Sequence, residues 1–291
     1  PKLETISLVL SGTVFYSSFI AIWQFLAKKS IGGIFWLAGE RTFYAGTPGI
    51  AAIAYKGNLL MRPYATFPHP NVLGGFLSVA MPFIYLFLVK QWKTINIYLK
   101  IWYTIIFSLG LTCLFLTFSR LAWAVAGVGF LGINIKIQKK LVLPLFYLLM
   151  ILSIFIPILV PQSFLAQSQY WQERVQLIKT AIPMIAQNPF FGIGLNNSIV
   201  QLRNYINNFP GIFIFQPIHN VYLLILAETG IVGFVFFLWA FLRLINKVLK
   251  SRLFFLPIIA QLFLLGLFDH YLLTLQQGQL LLVIFLSLSV I

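Results

Sequence analysis

Long apolar stretches separated by short polar links dominate this chain. A helix needs about 20 apolar residues to cross a bilayer. Stretches of roughly this kind lie at 6–27, 71–89, 101–118, 121–135, 141–160, 220–241, 254–268 and 275–291. The pattern predicts an all-α fold, a polytopic transmembrane helix bundle of about eight spans, which we interpret as a single membrane domain over 1–291.

Composition and charge agree with a membrane protein. The chain is 60% hydrophobic and only 9% charged, which excludes an ordinary soluble fold. The net charge of +15 could indicate nucleic acid, but most basic residues lie in alternate polar links. Those links contain Lys2, Lys90, Lys93, Lys100, Lys136, Lys139, Lys140, Arg243, Lys247, Lys250 and Arg252. The positive-inside rule then predicts a multi-pass protein of the cytoplasmic membrane with its N-terminus in the cytoplasm, membrane lipids as partners and no nucleic acid.

The candidate functional polar residues lie mainly on the opposite, non-cytoplasmic face in this topology. Two long loops, 28–70 and 161–219, lie there in this topology, and so do all three histidines. A transporter would be expected to place such groups near the midplane, on broken helices in two related halves. The chain shows no internal repeat. An enzyme acting on a lipid-linked substrate therefore fits the pattern better than a carrier.

The second long loop has an amphipathic first part. Residues 163–187 alternate apolar and polar at helical spacing, with Tyr170 and Trp171 suited to the headgroup level. Asn188-Pro189 is expected to end this helix, and Gly192 and Gly194 to permit a tight turn. The amide-rich segment around Arg203 suits sugar hydroxyls, although asparagines are equally ordinary in loops.

Two arginines are candidates for binding a phosphate. Arg120 stands between two apolar stretches with no carboxylate beside it in sequence. It either snorkels at a helix end or clamps a phosphate through paired N–H donors. Arg174 lies on the amphipathic helix beside Glu173, where an exposed helix charge is the alternative.

Further polar residues precede the second predicted span. Arg62 is a third candidate cation, and His69 and Asn71 follow it in a proline-rich entry to the helix. All three are candidate substrate-binding residues. For Asn71 the sequence favours a structural role as the N-cap of that helix.

Three polar residues, His219, Asn220 and Glu228, lie at or within the apolar run 220–241, and Asn220 is a candidate substrate-binding residue. The imidazole of His219 either forms part of a polar surface or orients and deprotonates an acceptor hydroxyl. Glu228 follows nine residues later, about 13 Å along a helix and turned by about half a turn. Both side chains therefore cannot face one pocket on a regular helix, and Glu228 is either a substrate-binding or a structural carboxylate.

Several kinds of site have no sequence signature here. Cys113 is the single cysteine, so the chain cannot form an internal disulfide. No DxD motif, clustered metal ligands or glycine-rich phosphate loop occurs. We therefore expect no cofactor and no metal, with arginines neutralising a diphosphate leaving group.

Four segments together resemble the O-antigen ligase / O-antigen polymerase family of bacterial membrane glycosyltransferases. The motifs that carry the resemblance are Arg62 with Thr66-Phe67-Pro68-His69-Pro70-Asn71, Thr117-Phe118-Ser119-Arg120, Glu173-Arg174 leading to Asn188-Pro189-Phe190-Phe191-Gly192-Ile193-Gly194-Leu195, and His219-Asn220 with Tyr222-Leu223 to Glu228-Thr229-Gly230. Each is weak alone, but their order and spacing are specific.

The resemblance implies a GT-C-like fold and an inverting, metal-independent transfer of a glycan from undecaprenyl diphosphate to an acceptor. It implies a site at the outer face of the inner membrane, with Arg120, Arg174 and His219 as catalytic residues. It also implies that the chain is a fragment lacking N-terminal helices. Within the family the alternative is a polysaccharide polymerase, and from another class it is a lipid-linked glycan flippase or permease.

Overall fold

A computed structural model describes residues 3–55, 58–134, 169–205 and 215–290. The chain divides into two compact units, Pro1–Ile135 and Lys136–Ile291, and each is described by itself. The predicted span 141–160 lies outside the described residues, as do the side chains of Tyr170 and Trp171. The prediction of one membrane domain over 1–291 stays a prediction.

The first unit is built around one buried helix. Its elements are α1 (Leu3–Ala27), α2 (Ile34–Leu37), β1 (Ala52–Tyr55), β2 (Asn58–Met61), α3 (Pro70–Gln91), α4 (Ile97–Leu116) and α5 (Arg120–Asn134). Helix α3 packs against α1, α4 and α5. Gly74 of α3 lies so close to α5 that an added Cβ would be 2.9 Å from the Cβ of Ala122. Small residues permit this close approach of membrane helices.

Two buried polar side chains fix the loop after α1. Glu40 accepts hydrogen bonds from the side chain of Gln24 (2.8 Å) and from the backbone N–H groups of Ile31 and Gly32. The Gln24 carbonyl oxygen accepts from the N–H groups of Tyr64 and Ala65. Between these contacts β1 and β2 pair antiparallel, with Ala52 opposite Met61. This hairpin is an addition to the all-α fold that the periodicity predicted.

The prediction that Asn71 caps α3 is wrong. The helix begins at Pro70, and the N-cap is His69, whose Nδ1 accepts from the backbone N–H of Asn71 at 3.1 Å. Proline at the first helical position needs no hydrogen-bond partner for its nitrogen, so the helix begins two residues earlier than it would with Asn71 as the N-cap.

The second unit contains α6 (Gln169–Gln187), α7 (Ser198–Tyr205), α8 (Val221–Ser251), a 3₁₀ turn (Leu253–Phe255), α9 (Leu256–Phe268), α10 (Tyr271–Thr274) and α11 (Gln276–Val290). Helix α6 is the described part of the predicted amphipathic helix, and it ends at Gln187, before Asn188-Pro189 as expected. Its apolar face packs on the start of α8 through Leu177, Ala181, Met184, Leu223, Leu224 and Ala227.

Among the described residues, four helices are long and apolar enough to cross a membrane: Leu3–Ala27, Pro70–Gln91, Ile97–Leu116 and Val221–Ser251. They coincide with four of the predicted spans. The predictions at 121–135, 254–268 and 275–291 correspond to shorter apolar helices. The described fold is thus a largely helical membrane bundle, and it does not support the count of about eight spans.

Candidate active site

His219 lies immediately before α8, in a rigidly capped helix start. Asn220 is the N-cap, and its Oδ1 accepts from the backbone N–H groups of Tyr222 and Leu223, at 3.0 Å each. The two residues before α8 thus have separate tasks, since the amide of Asn220 orders the backbone while the imidazole of His219 is left for other contacts. His219 is buried, with 8% of its surface exposed.

The link between α9 and α10 brings two more ionisable residues to His219. The ring of His270 stands edge-on to that of His219, with centroids 4.7 Å apart. Asp269 is buried, and its Oδ1 lies 4.0 Å from His270 Nε2. His270 Nδ1 in turn lies 2.6 Å from the hydroxyl oxygen of Thr274. The sequence predicted that both residues lie on the non-cytoplasmic face but did not select them; the signal was two ionisable residues side by side in a short apolar link.

Arg174 completes the cluster from α6. Its Nη2 lies 3.6 Å from Asp269 Oδ2, and its Nη1 donates to the carbonyl of Phe268 at 3.3 Å. We call Arg174, His219, Asp269 and His270 the His219 cluster. Its members come from three separate segments of the chain, so two of the three predicted catalytic residues, Arg174 and His219, meet here.

Burial sets the protonation of the His219 cluster. It lowers the pKa of His219 to about 3, and Asp269, which raises this pKa, only partly offsets burial and the nearby Arg174. Burial and Arg174 likewise lower the pKa of His270. Burial raises the pKa of Asp269, but His219, Arg174, His270 and a hydrogen bond from the His270 backbone N–H together lower it by more. At neutral pH the cluster therefore holds neutral imidazoles beside an ionised Asp269–Arg174 pair.

The same residues form a group that could hold a metal ion. One ligand atom each from His219, Asp269 and His270 lies within 4.8 Å of the others. The sequence showed no such group, because His219 is fifty residues from Asp269. Two neutral imidazoles and a carboxylate suit a transition metal. The guanidinium of Arg174, however, already provides a positive charge to Asp269.

Glu228 takes part in a different structure. Its Oε2 accepts from the backbone N–H of Asn196 at 3.0 Å, and its Oε1 from that of Ser198, the first residue of α7, at 3.3 Å. The carboxylate thereby anchors the segment between α6 and α7 to α8. These contacts support the structural interpretation of Glu228 and separate it from the His219 cluster.

Arg203 lies on α7 and faces an aromatic ring. Its guanidinium carbon is 5.1 Å from the centroid of Phe215, a cation–π contact. Among the described residues, it forms no hydrogen bond or ion pair with the His219 cluster.

In the first unit, Arg62 ties three segments together. Its Nε donates to the carbonyl of Thr117 and its Nη2 to Oδ1 of Asn71, both at 2.6 Å. His69, the cap of α3, is adjacent to this contact in sequence. Arg120 is the exposed first residue of α5, after a tight turn in which Phe118 has φ +49°. No ion pair involving Arg120 occurs within 3–55 and 58–134.

The apolar helices and the buried ionisable cluster define a multi-pass membrane protein with enzyme-like polar chemistry. Residues 105–238 match the model of a family described as O-antigen ligase. That range contains Arg120, Arg174, His219 and Glu228, and it confirms the resemblance to the O-antigen ligase / polymerase family. No match was found among curated proteins or among solved structures.

Proposed function

We propose that this protein is a membrane glycosyltransferase that transfers a glycan from undecaprenyl diphosphate to an acceptor at the outer face of the bacterial cytoplasmic membrane, as an O-antigen ligase does. The observation that carries the proposal is the His219 cluster, in which a neutral, buried imidazole lies beside an arginine held by Asp269. The family match over 105–238 supports the same reaction class.

The proposed reaction exchanges one bond to the anomeric carbon for another. The acceptor hydroxyl oxygen forms a bond to the anomeric carbon of the donor glycan, while the bond from that carbon to the diphosphate oxygen breaks. The electron pair leaves with the lipid diphosphate, and the hydroxyl proton passes to His219 as the forming bond to carbon makes that proton strongly acidic. Nδ1 of His219 is buried and has no hydrogen-bond partner among the described residues, so a substrate hydroxyl would satisfy it.

Arginines neutralise the leaving group in this mechanism. Arg174 supplies a guanidinium beside His219, and the resemblance to the O-antigen ligase family implies Arg120 as a second diphosphate-binding arginine. Fork-shaped donors suit a diphosphate. We propose that Asp269 positions Arg174, and that no divalent cation is needed because the two arginines supply the positive charge.

The test is transfer in vitro by the purified full-length protein from a lipid-linked glycan. An acceptor of another class, such as a lipid-anchored core oligosaccharide, reports ligase activity; elongation of a second lipid-linked glycan reports polymerase activity. We expect His219→Ala and Arg120→Ala to lose about 100-fold or more in turnover. Arg243→Ala, at the other end of α8, is the matched control.

The outcomes separate the alternatives. Near-normal turnover of both variants would contradict the assignment of His219 and Arg120 to the active site. Movement of the lipid-linked glycan across a reconstituted bilayer without a new glycosidic bond would instead identify a flippase or permease.

A further inference from the structure

Helix α8 is broken where another segment takes over its backbone hydrogen bonds. Gly230 has φ +65° and ψ −171°, far from helical values. The carbonyls of Ala227 and Glu228 accept from the N–H groups of Ile193 and Gly194, both at 3.0 Å. In return, the N–H groups of Ile231 and Val232 donate to the carbonyls of Pro189 and Phe190. The segment 189–195, which we call the docked loop, therefore replaces the helical bonds lost at the break.

Glycines allow this contact to be close. A Cβ atom on Gly192 would overlap the backbone carbonyl of Glu228, and one on Gly230 would overlap the carbonyl of Phe190. The carboxylate of Glu228 holds the end of the docked loop through Asn196 and Ser198. The docked loop is consequently held in a fixed position against α8.

The position of the break along α8 sets the depth of the docked loop. Between Val221 and Leu242 the only Asp, Glu, Lys or Arg of α8 is Glu228, and the basic residues begin at Arg243. A hydrocarbon core of about 30 Å takes about 20 helical residues, which counted back from Arg243 begins near 223. Gly230 then lies about 10 Å inside the apolar layer at the N-terminal end of α8.

The docked loop exposes large apolar side chains at this level. Phe190, Phe191 and Leu195 are 65%, 77% and 76% exposed. On α8, Ile231, whose N–H is bonded to the docked loop, and Val235, four residues further on, are exposed as well. Exposed aromatic and aliphatic side chains that continue the surface of a membrane helix match the acyl chains of lipid.

We propose that the docked loop enters the bilayer beside α8 and that Phe190, Phe191 and Leu195 contact lipid acyl chains. Irregular backbone is tolerated at membrane depth only where protein satisfies its polar groups, and α8 with Glu228 does so here. The docked loop directly follows α6, so it would fix the end of the helix that carries Arg174 at a set depth. This inference concerns the membrane contact and stands independently of the transfer reaction.

Spin-label accessibility in reconstituted full-length protein tests the proposal. Nitroxides are placed at Phe191→Cys and Leu195→Cys in a Cys113→Ser background, in vesicles of phosphatidylethanolamine and phosphatidylglycerol. Val235→Cys, on α8 and 54% exposed, is the lipid-facing control, and the exposed Asn204→Cys on α7 is the water-facing one. The readout is the collision rate with oxygen relative to that with a water-soluble nickel chelate.

We expect the ratio at Phe191 and Leu195 to resemble that at Val235 and to exceed that at Asn204 several-fold. A ratio like that of Asn204 would place the docked loop in water and overturn the proposal. Low collision rates with both reagents would show that protein covers these side chains, which overturns it equally.

Discussion

Asp269 binds Arg174 across two segments of the chain, with Nη2 of the arginine 3.6 Å from Oδ2 of the carboxylate. The same guanidinium donates to the carbonyl of the preceding residue, Phe268. One short link thus holds the helix that bears the candidate diphosphate-binding arginine and also carries His270 against His219. The link between α9 and α10 therefore positions both Arg174 and His270 in the candidate site.

Asp269→Asn is expected to lower transfer about 100-fold, because a misplaced arginine loses alignment with the diphosphate. If Asp269 acts by positioning Arg174, the KM for the lipid-linked donor should rise as well as kcat fall. Steady-state kinetics in detergent would measure both. Glu4→Gln, an exposed carboxylate on α1, should leave both constants unchanged, and a wild-type donor KM in Asp269→Asn would contradict the positioning role.

Stability should fall on acidification because His219 is buried as the neutral form. Its pKa is about 3 in the folded protein and about 6.5 when unfolded. Between these values the unfolded state binds a proton that the folded state does not, so the free energy of unfolding decreases as pH falls, by up to about 1.4 kcal/mol per pH unit. His219→Gln should flatten the dependence of Tm between pH 7 and 5. Equal slopes for both proteins would disprove the assigned protonation.

Gly230→Ala should destabilise the protein because its backbone conformation is almost reserved for glycine and because a Cβ would overlap Phe190. The backbone conformation alone costs about 1–3 kcal/mol. Thermal unfolding in detergent measures the change. Gly127→Ala on α5 is the matched control, since nothing lies within 4 Å of its added Cβ, and its Tm should stay the same or rise. Equal Tm values for the two variants would refute the close contact at the break.

Glu228→Gln decides between the structural and the substrate-binding role. The amide retains one acceptor oxygen for two backbone donors, so we expect a loss of about 1–3 kcal/mol in stability. Turnover per folded molecule should stay within a few-fold of wild type. A stable variant with turnover as low as that of His219→Ala would instead make Glu228 part of the reactive site.

Treatment with a chelator tests whether a metal takes part. His219, Asp269 and His270 could hold an ion by their spacing, whereas the proposed mechanism uses arginines alone. We expect full transfer activity after dialysis against EDTA, and no activation by added Zn²⁺ or Mg²⁺. Loss of activity that returns with one of these ions would replace the arginine-only mechanism.

Sequence periodicity located the described membrane helices well, because about 20 apolar residues in a row have few other stable arrangements. It also placed the end of α6 and the start of α8, since proline and asparagine act through local backbone geometry. Local rules failed at α3, where the imidazole of His69 replaced Asn71 as the cap. The hairpin of β1 and β2 was missed because neither four-residue strand alternates apolar and polar residues.

The sequence alone determined that the chain is a membrane protein and selected His219 and Arg174 as candidate site residues, because hydropathy and local motifs are readable in one dimension. Only the tertiary structure decided that Asp269 and His270 join them, and that Glu228 anchors the docked loop. The physical reason is the same in both cases. The hydrogen-bond or ion-pair partner of a buried polar group depends on how distant segments of the chain pack together. Helical spacing within one segment carries no information about that packing.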